Sequence, residues 1–229
     1  MALFRRRRDE PDLEASLEPG DEVADERPAD GEPAGSSDAR TASTSPDAMR
    51  RPLDAGEVGP DADATLTRLD LGALRVPVVP GVEVRVELNE QRQPIAVSLV
   101  SPRGGVQLIP FAAPRGEGVW DDVRREIAEL VRQGGGSARE VTGPFGPELA
   151  ATVRQVTPEG REVTQPVRFV GFDGPRWFLR ATFSGPAATD RSAADLLEQL
   201  VLRVVVVRGG EPMAPRDPLP LRLPPTPHV

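Results

Sequence analysis

The chain has 229 residues and a formal net charge of −8, set by 36 acidic side chains against 28 basic ones. Cys is absent, which excludes a disulfide framework and any thiolate metal site. Lys and Tyr are absent too, and His228 is the one histidine, so Schiff-base lysine chemistry is ruled out, a Walker-type phosphate loop lacks its lysine, and a Ser or Thr nucleophile lacks an evident base.

Residues 9–63 hold 17 Asp/Glu against 4 Arg, whereas residues 64–229 carry a net charge of +1. Pro, Gly, Ala, Asp, Glu and Ser dominate the first stretch, and its few leucines and valines form no apolar face. Such a segment cannot bury enough surface to offset its ordering entropy, so residues 1–65 are expected to be a disordered acidic tail. The run Arg5–Arg8 can touch anionic lipid or nucleic acid, although a solvated end neutralised by the acids beside it accounts for the same residues. Charge precedes any apolar stretch, so no secretory signal is expected. The longest nearly apolar run, Leu200 to Val207, is broken by Arg203 and is too short to span a bilayer. A soluble, cytoplasmic protein is expected.

Order is expected from about Leu66, in a single α+β domain over 66–210. Leu69, Leu71, Leu74, Val76 and Val78 mark an extended segment ending at Pro80. From Val82 to Leu88 the chain alternates strictly, with Val82, Val84, Val86 and Leu88 on one side and Glu83, Arg85 and Glu87 on the other. A period of two implies a strand with one wet face. Strands over Ile95–Ser101 and Val106–Phe111 follow. Gly118 to Gln133 is expected as a helix, because Trp120, Val123, Ile127, Leu130 and Val131 recur at helical spacing. Asp121 and Asp122 suit its first turn and Arg132 its last. Gly134–Gly136 ends it, a helix stop rather than a phosphate cradle.

Ala138–Thr142 and Leu149–Val156 read as strands around a loop at Gly143–Pro147. Gln165 to Phe183 reads as a β-hairpin turning at Asp173-Gly174-Pro175. In its second arm Trp177, Leu179, Ala181 and Phe183 face one way, and Arg176, Phe178, Arg180 and Thr182 the other. A second helix is expected from about Asp190 to Arg203, capped by Thr189 or Asp190, and Val204–Val207 as a buried strand. Residues 211–229 form a Pro-rich extended arm whose Leu219, Leu221 and Leu223 alternate; it packs on its own sheet, exchanges with a second copy, or fills another protein's groove.

A shift of 72 residues places Pro94 on Pro166, Phe111 on Phe183, Pro114 on Pro186 and Glu126 on Glu198. Two strand–turn–strand–helix units are implied, giving a largely antiparallel sheet with two helices packed on one face.

Arg68-Leu-Asp-Leu-Gly72, Phe111-Ala-Ala-Pro-Arg115, Gly143-Pro-Phe-Gly146, Asp173-Gly-Pro-Arg-Trp-Phe-Leu-Arg180 and Glu211-Pro-Met-Ala-Pro-Arg-Asp217 resemble an actinobacterial family of uncharacterised proteins, domain of unknown function 3710. The resemblance runs from about Leu66 to Pro225 and implies a bacterial cytosolic protein. It carries no activity, cofactor or catalytic residue.

Three functional readings remain. The first is a non-catalytic module that binds a protein partner or itself, with no cofactor and no metal. The second is single-stranded nucleic-acid binding through Arg168, Arg176, Phe178 and Arg180, by phosphate contact and stacking; a solvated sheet face with Phe178 partly covered explains these residues as well. Trp120 and Trp177 read as core. The third is an enzyme built on paired carboxylates. Asp121 and Asp122 are its closest pair, but helix-start electrostatics explains them, and Glu83 with Glu87 is how a wet strand face looks. That reading requires a concave site with two acids close together and shifted pKa values.

Overall fold

The computed structural model describes residues 50–59, 66–116, 118–156 and 160–224. These all belong to the unit Thr44–Val229. Residues 1–49 and 60–65 of the expected tail, and His228, lie outside the described residues. In chain order the elements are β1 (Leu53–Asp54), β2 (Arg68–Asp70), β3 (Leu74–Pro77), β4 (Glu83–Leu88), β5 (Pro94–Ser101), β6 (Gly104–Ala112), α1 (Trp120–Gln133), β7 (Ser137–Gly143), β8 (Gly146–Val156), β9 (Glu162–Gly174), β10 (Trp177–Ser184), a 3-10 turn at Gly185–Ala188, α2 (Arg191–Leu202) and β11 (Val205–Val206).

Seven strands form one open sheet in the order β4-β5-β6-β10-β9-β8-β7, with every neighbouring pair antiparallel. A smaller sheet has the order β1-β11-β3-β2. The α+β class and the largely antiparallel sheet are as the sequence implies. The hairpin of β9 and β10 is the centre of the large sheet, because β10 pairs with both β9 and β6. Its turn sits at Pro175 and Arg176, and Arg176 takes the left-handed φ of 66° that a side chain rarely adopts.

The expectation that both helices pack on one face is corrected. Trp177, Leu179, Ala181 and Phe183 of β10 lie in one buried cluster with Val97, Leu99, Val106 and Leu108, and α2 adds Ala194, Leu197, Leu200 and Val201 to it. Phe178, on the other face of β10, lies in a second cluster with Val119, Trp120, Ile127 and Ala128 at and within α1. The helices therefore cover opposite faces. The cause is register. Trp177 stands opposite Ala112 and Phe178 opposite Phe111. Phe111 thus shares a face with Phe178, while Phe183, its equivalent in the 72-residue repeat, points the other way. An offset of one residue turns every side chain of a strand to the opposite face. The two units do sit in one sheet, but each sends its helix to a different side.

Burial is correspondingly deep on the α2 face, where Trp177, Leu179, Phe183, Leu99 and Leu108 are sealed from solvent. The small sheet completes that face, with Leu71, Leu74, Val76 and Val206 joining the same cluster. At an order of magnitude, each fully buried side chain of this kind contributes about 1.5–3 kcal/mol. On the other face Gly171 is a packing requirement: a Cβ there would lie 2.2 Å from the Trp120 ring. Trp120 instead stacks near Phe178, with ring centroids 6.0 Å apart, and donates its indole N–H to the Pro147 carbonyl at 2.7 Å.

Segment ends depart from the sequence reading for identifiable reasons. Residues 50–59 are not part of a tail. β1 pairs in parallel with β11, Asp54 accepts the indole N–H of Trp177 at 2.7 Å, and Arg51 stacks over the same ring. Acidic composition hid this, because the order comes from one long-range partner. The C-terminal arm packs on its own domain as far as Leu221. Leu219 and Leu221 are buried, Leu219 N–H donates to the Pro110 carbonyl, and Arg222 N–H to that of Leu71. Leu223 is 55% exposed. The helix caps also divide. Asp190 caps α2 as expected by accepting from Ser192 N–H. For α1 the residue at the cap is Val119, and Asp173 on β9 takes its role, accepting from Val119 N–H at 2.8 Å and Trp120 N–H at 3.3 Å.

Candidate recognition surface

The large sheet is covered unevenly. On the face that carries α1, the helix lies over β7, β8 and β9, and β4, β5 and β6 are left without a helix above them. Their side chains on that face are Glu83, Arg85 and Glu87 on β4, Ala96, Ser98 and Val100 on β5, and Gln107 and Ile109 on β6, as the registers require. All but the buried Ala96 are exposed or half-buried, whereas Val97, Leu99, Val106 and Leu108 on the reverse side are buried. Alternation over 82–88 predicts this division and the structure extends it across three strands.

The open face is pre-ordered by a small polar network. Gln107 Nε2 donates to Glu87 Oε2 at 2.6 Å, and the Ser98 hydroxyl donates to Glu87 Oε1 at 2.5 Å. Arg85 bonds Glu83 at 2.7 Å on the same strand face. That hydrogen bond holds the Glu83 carboxyl below its ordinary range and lifts the Arg85 guanidinium. At the strand ends, Gly81, Val82, Glu83, Val100, Ser101 and Pro102 line an open depression of about 520 Å³. A smaller hollow of about 200 Å³ lies elsewhere, among Pro144, Phe145, Asp195, Glu198 and Gln199.

The four residues assigned from sequence to a nucleic-acid face do not form one. Arg168 and Arg180 stand on the neighbouring strands β9 and β10, but on opposite faces: Arg168 is opposite Phe183 and Arg180 is opposite Gly171. Arg168 is buried on the α2 side. It reaches Glu148 at 2.9 Å and Glu198 at 2.6 Å, and its guanidinium lies 4.2 Å from the centre of the Phe183 ring. Phe178 is 2% exposed, between Phe111 and Trp120, so its ring faces neighbours rather than solvent. Arg176 sits in the hairpin turn, where its carbonyl accepts from Ala113 N–H and Arg208 Nε. Arg180 alone borders the open face, with its guanidinium 5.7 Å from the Phe111 ring centre.

Glu148, Arg168 and Glu198 are a set that sequence reasoning missed. No local signal marks it, because the three residues come from two strands and a helix. Gly143 makes room for it, since a Cβ there would lie 2.0 Å from the Glu148 carboxyl group. The Gly143-Pro144-Phe145-Gly146 hairpin therefore wraps a buried carboxylate. Burial pushes the Glu148 carboxyl above its ordinary range, against the pull of Arg168. This is the convergence of acids that a carboxylate enzyme needs, yet both acids point at Arg168. Glu148 is 1% exposed, so it cannot meet a substrate to exchange a proton. Asp121 and Asp122 are taken up by Arg124 and Arg125 on α1. Among the described residues no group of three Asp, Glu or His is placed to hold a metal ion, and no helix is long and apolar enough to cross a membrane.

The sequence matches the model of the family described as protein of unknown function, DUF3710, over residues 52–228. No curated protein matches it. Two solved structures are similar in part. A crystal structure from Bacteroides thetaiotaomicron VPI-5482 aligns at 14% identity with a TM-score of 0.37, covering 64% of this chain and 50% of that one, so this chain spans about half its length. The solution structure of cyanobacterial PsbP (CyanoP) from Synechocystis sp. PCC 6803 aligns at 13% identity with a TM-score of 0.35, covering 66% of this chain and 98% of that one.

Proposed function

The chain belongs to the DUF3710 family, and for it we propose a non-catalytic role as a protein-interaction module whose recognition surface is the uncovered face of β4, β5 and β6. One observation carries this reading. Half of one side of the large sheet presents a mixed face of Glu83, Arg85, Ser98, Val100, Gln107 and Ile109 to solvent, while the reverse side of the same three strands is packed in the core. A rigid, partly apolar sheet with ordered polar groups is the kind of surface a partner chain can cover at low entropic cost. Binding of a second copy is the same chemistry with an identical partner. A cytosolic place of action and an actinobacterial source belong to this reading. The Lys-free, Pro-rich composition supports the source, and the absence of Cys suits a reducing compartment.

The test pairs light scattering with capture from native lysate, using the full chain. Ser98→Arg with Ile109→Arg places two bulky charges on the open face. Arg139→Glu changes a residue of β7 at the far edge of the sheet. The reading expects an association, with self or with a partner, that the first variant loses and the second keeps. A monomer that captures nothing, or a capture insensitive to the double variant, contradicts it. The nucleic-acid alternative draws on Arg180 alone of its four residues for an open position, and low-salt titration of labelled single strands separates the two.

A further inference from the structure

Most arginines of this fold that lose water gain a partner. Arg124 has Asp121 and Glu140, Arg168 has Glu148 and Glu198, and Arg216 has Asp122 and Glu126. Arg180 does not. It stands at mid-sheet on β10, between Ile109 of β6 and Gly171 of β9. Its Nε is sealed from water without a hydrogen-bond partner, and no ion pair joins its guanidinium to any described residue. The favourable contact it makes is with the face of the Phe111 ring. Burial also pulls its pKa down from the ordinary arginine value, as expected for a cation taken out of water without compensation.

A half-buried cation whose Nε is sealed and unpaired is costly, and arginine remains charged at any physiological pH. A fold that keeps one at the edge of an open face has a place for an anion. We propose that Arg180 receives a single carboxylate from an acidic segment of a protein partner laid over the β4–β5–β6 face, a site that rests on the interaction reading above. The charge count selects the anion. Arg85 is already bonded to Glu83, and Glu87 is held by the neutral Ser98 and Gln107, so with that ion pair cancelled the face offers one cation, Arg180, and one carboxylate, Glu87. A dianionic phosphate would bring twice the negative charge up to a face that already holds Glu87, whereas one carboxylate balances Arg180 and matches its planar fork. The flanking Ile109 and Phe111 suit apolar residues beside the acid. The half-buried setting strengthens the pair, because fewer waters compete for either charge than at an exposed site.

The experiment follows the Arg180 Nε–Hε resonance by NMR in the full chain. The probes are a terminally blocked Leu-Glu-Leu peptide, its Leu-Gln-Leu counterpart and inorganic phosphate. The expected result is a saturable shift with the Glu peptide, at least tenfold tighter than with the Gln peptide or phosphate. The same titration followed on the Ile109 and Thr182 amides should disappear in Arg180→Met and in Arg180→Gln. Equal response to both peptides, tighter binding of phosphate, or amide shifts that survive in both variants would overturn the site. If the peptide fails while capture still depends on Ser98 and Ile109, the anion site falls and the interaction reading stands. If capture is also indifferent to those residues, both fall.

Discussion

The indole N–H of Trp177 donates to the carboxylate of Asp54 at 2.7 Å, joining residues 123 positions apart in sequence. Trp177 is fully buried, so its donor has no water to fall back on. Asp54→Ala leaves that donor unpaired and should lower stability by about 1–3 kcal/mol. Asp54→Asn retains an acceptor oxygen and should lose less. Urea unfolding followed by tryptophan fluorescence measures both. A loss below about 0.5 kcal/mol in the alanine variant, the level of an ordinary surface change, would show that the 50–59 segment is not anchored this way.

Glu148 ties stability to pH. Its carboxyl titrates above the 4.5 of an unfolded chain because it is buried. At and below 4.5 the folded state is not penalised. As pH rises from there through the raised folded value, the unfolded chain ionises freely while the folded one resists, so that part of the stability is lost. Arg168→Met removes the partner of the buried charge. It should cost about 3–5 kcal/mol at pH 8 and clearly less at pH 4.5, where Glu148 can stay neutral. Equal losses at the two pH values would mean that Glu148 does not respond to Arg168.

Gly171 and Trp120 should show strong coupling. Gly171→Ala places a methyl against the indole ring and should cost about 1–3 kcal/mol by overpacking. In a Trp120→Ala background the indole is gone and only the Phe178 ring, 2.7 Å from the same Cβ, still crowds it, so the cost should fall clearly. A double-mutant cycle by chemical unfolding reads the difference, and additive losses would contradict the packing described.

The C-terminal arm offers a contrast within one motif. Leu219→Ala should cost about 2–5 kcal/mol, because that side chain is enclosed by the core. Leu223→Ala, two positions along the same alternation, should change stability by less than about 0.5 kcal/mol. Thermal unfolding of the two variants decides this, and similar losses would place the two leucines in equivalent environments.

Local periodicity made much of this fold legible. The 82–88 alternation shows the wet face of β4, the helical spacing from Trp120 gives α1, and the Asp173-Gly174-Pro175 cluster gives the central hairpin to within a residue. What periodicity cannot carry is inter-strand register. The one-residue offset that sets Phe111 opposite Phe178 sends the helices to opposite faces, and no local pattern encodes it. For the same reason Arg168 and Arg180 look equivalent in sequence, yet one is neutralised by Glu148 and Glu198 and the other is left bare. Asp54 and Asp173 read as tail and turn residues because their partners, Trp177 and the start of α1, are far away along the chain.

The most direct test of the recognition surface is hydrogen–deuterium exchange on the full chain, alone and in its captured complex or self-associated form. The account predicts that added protection falls on 83–109 and on the stretch around Arg180. Protection confined to β7 and β8, to α2, or to the small sheet would contradict it.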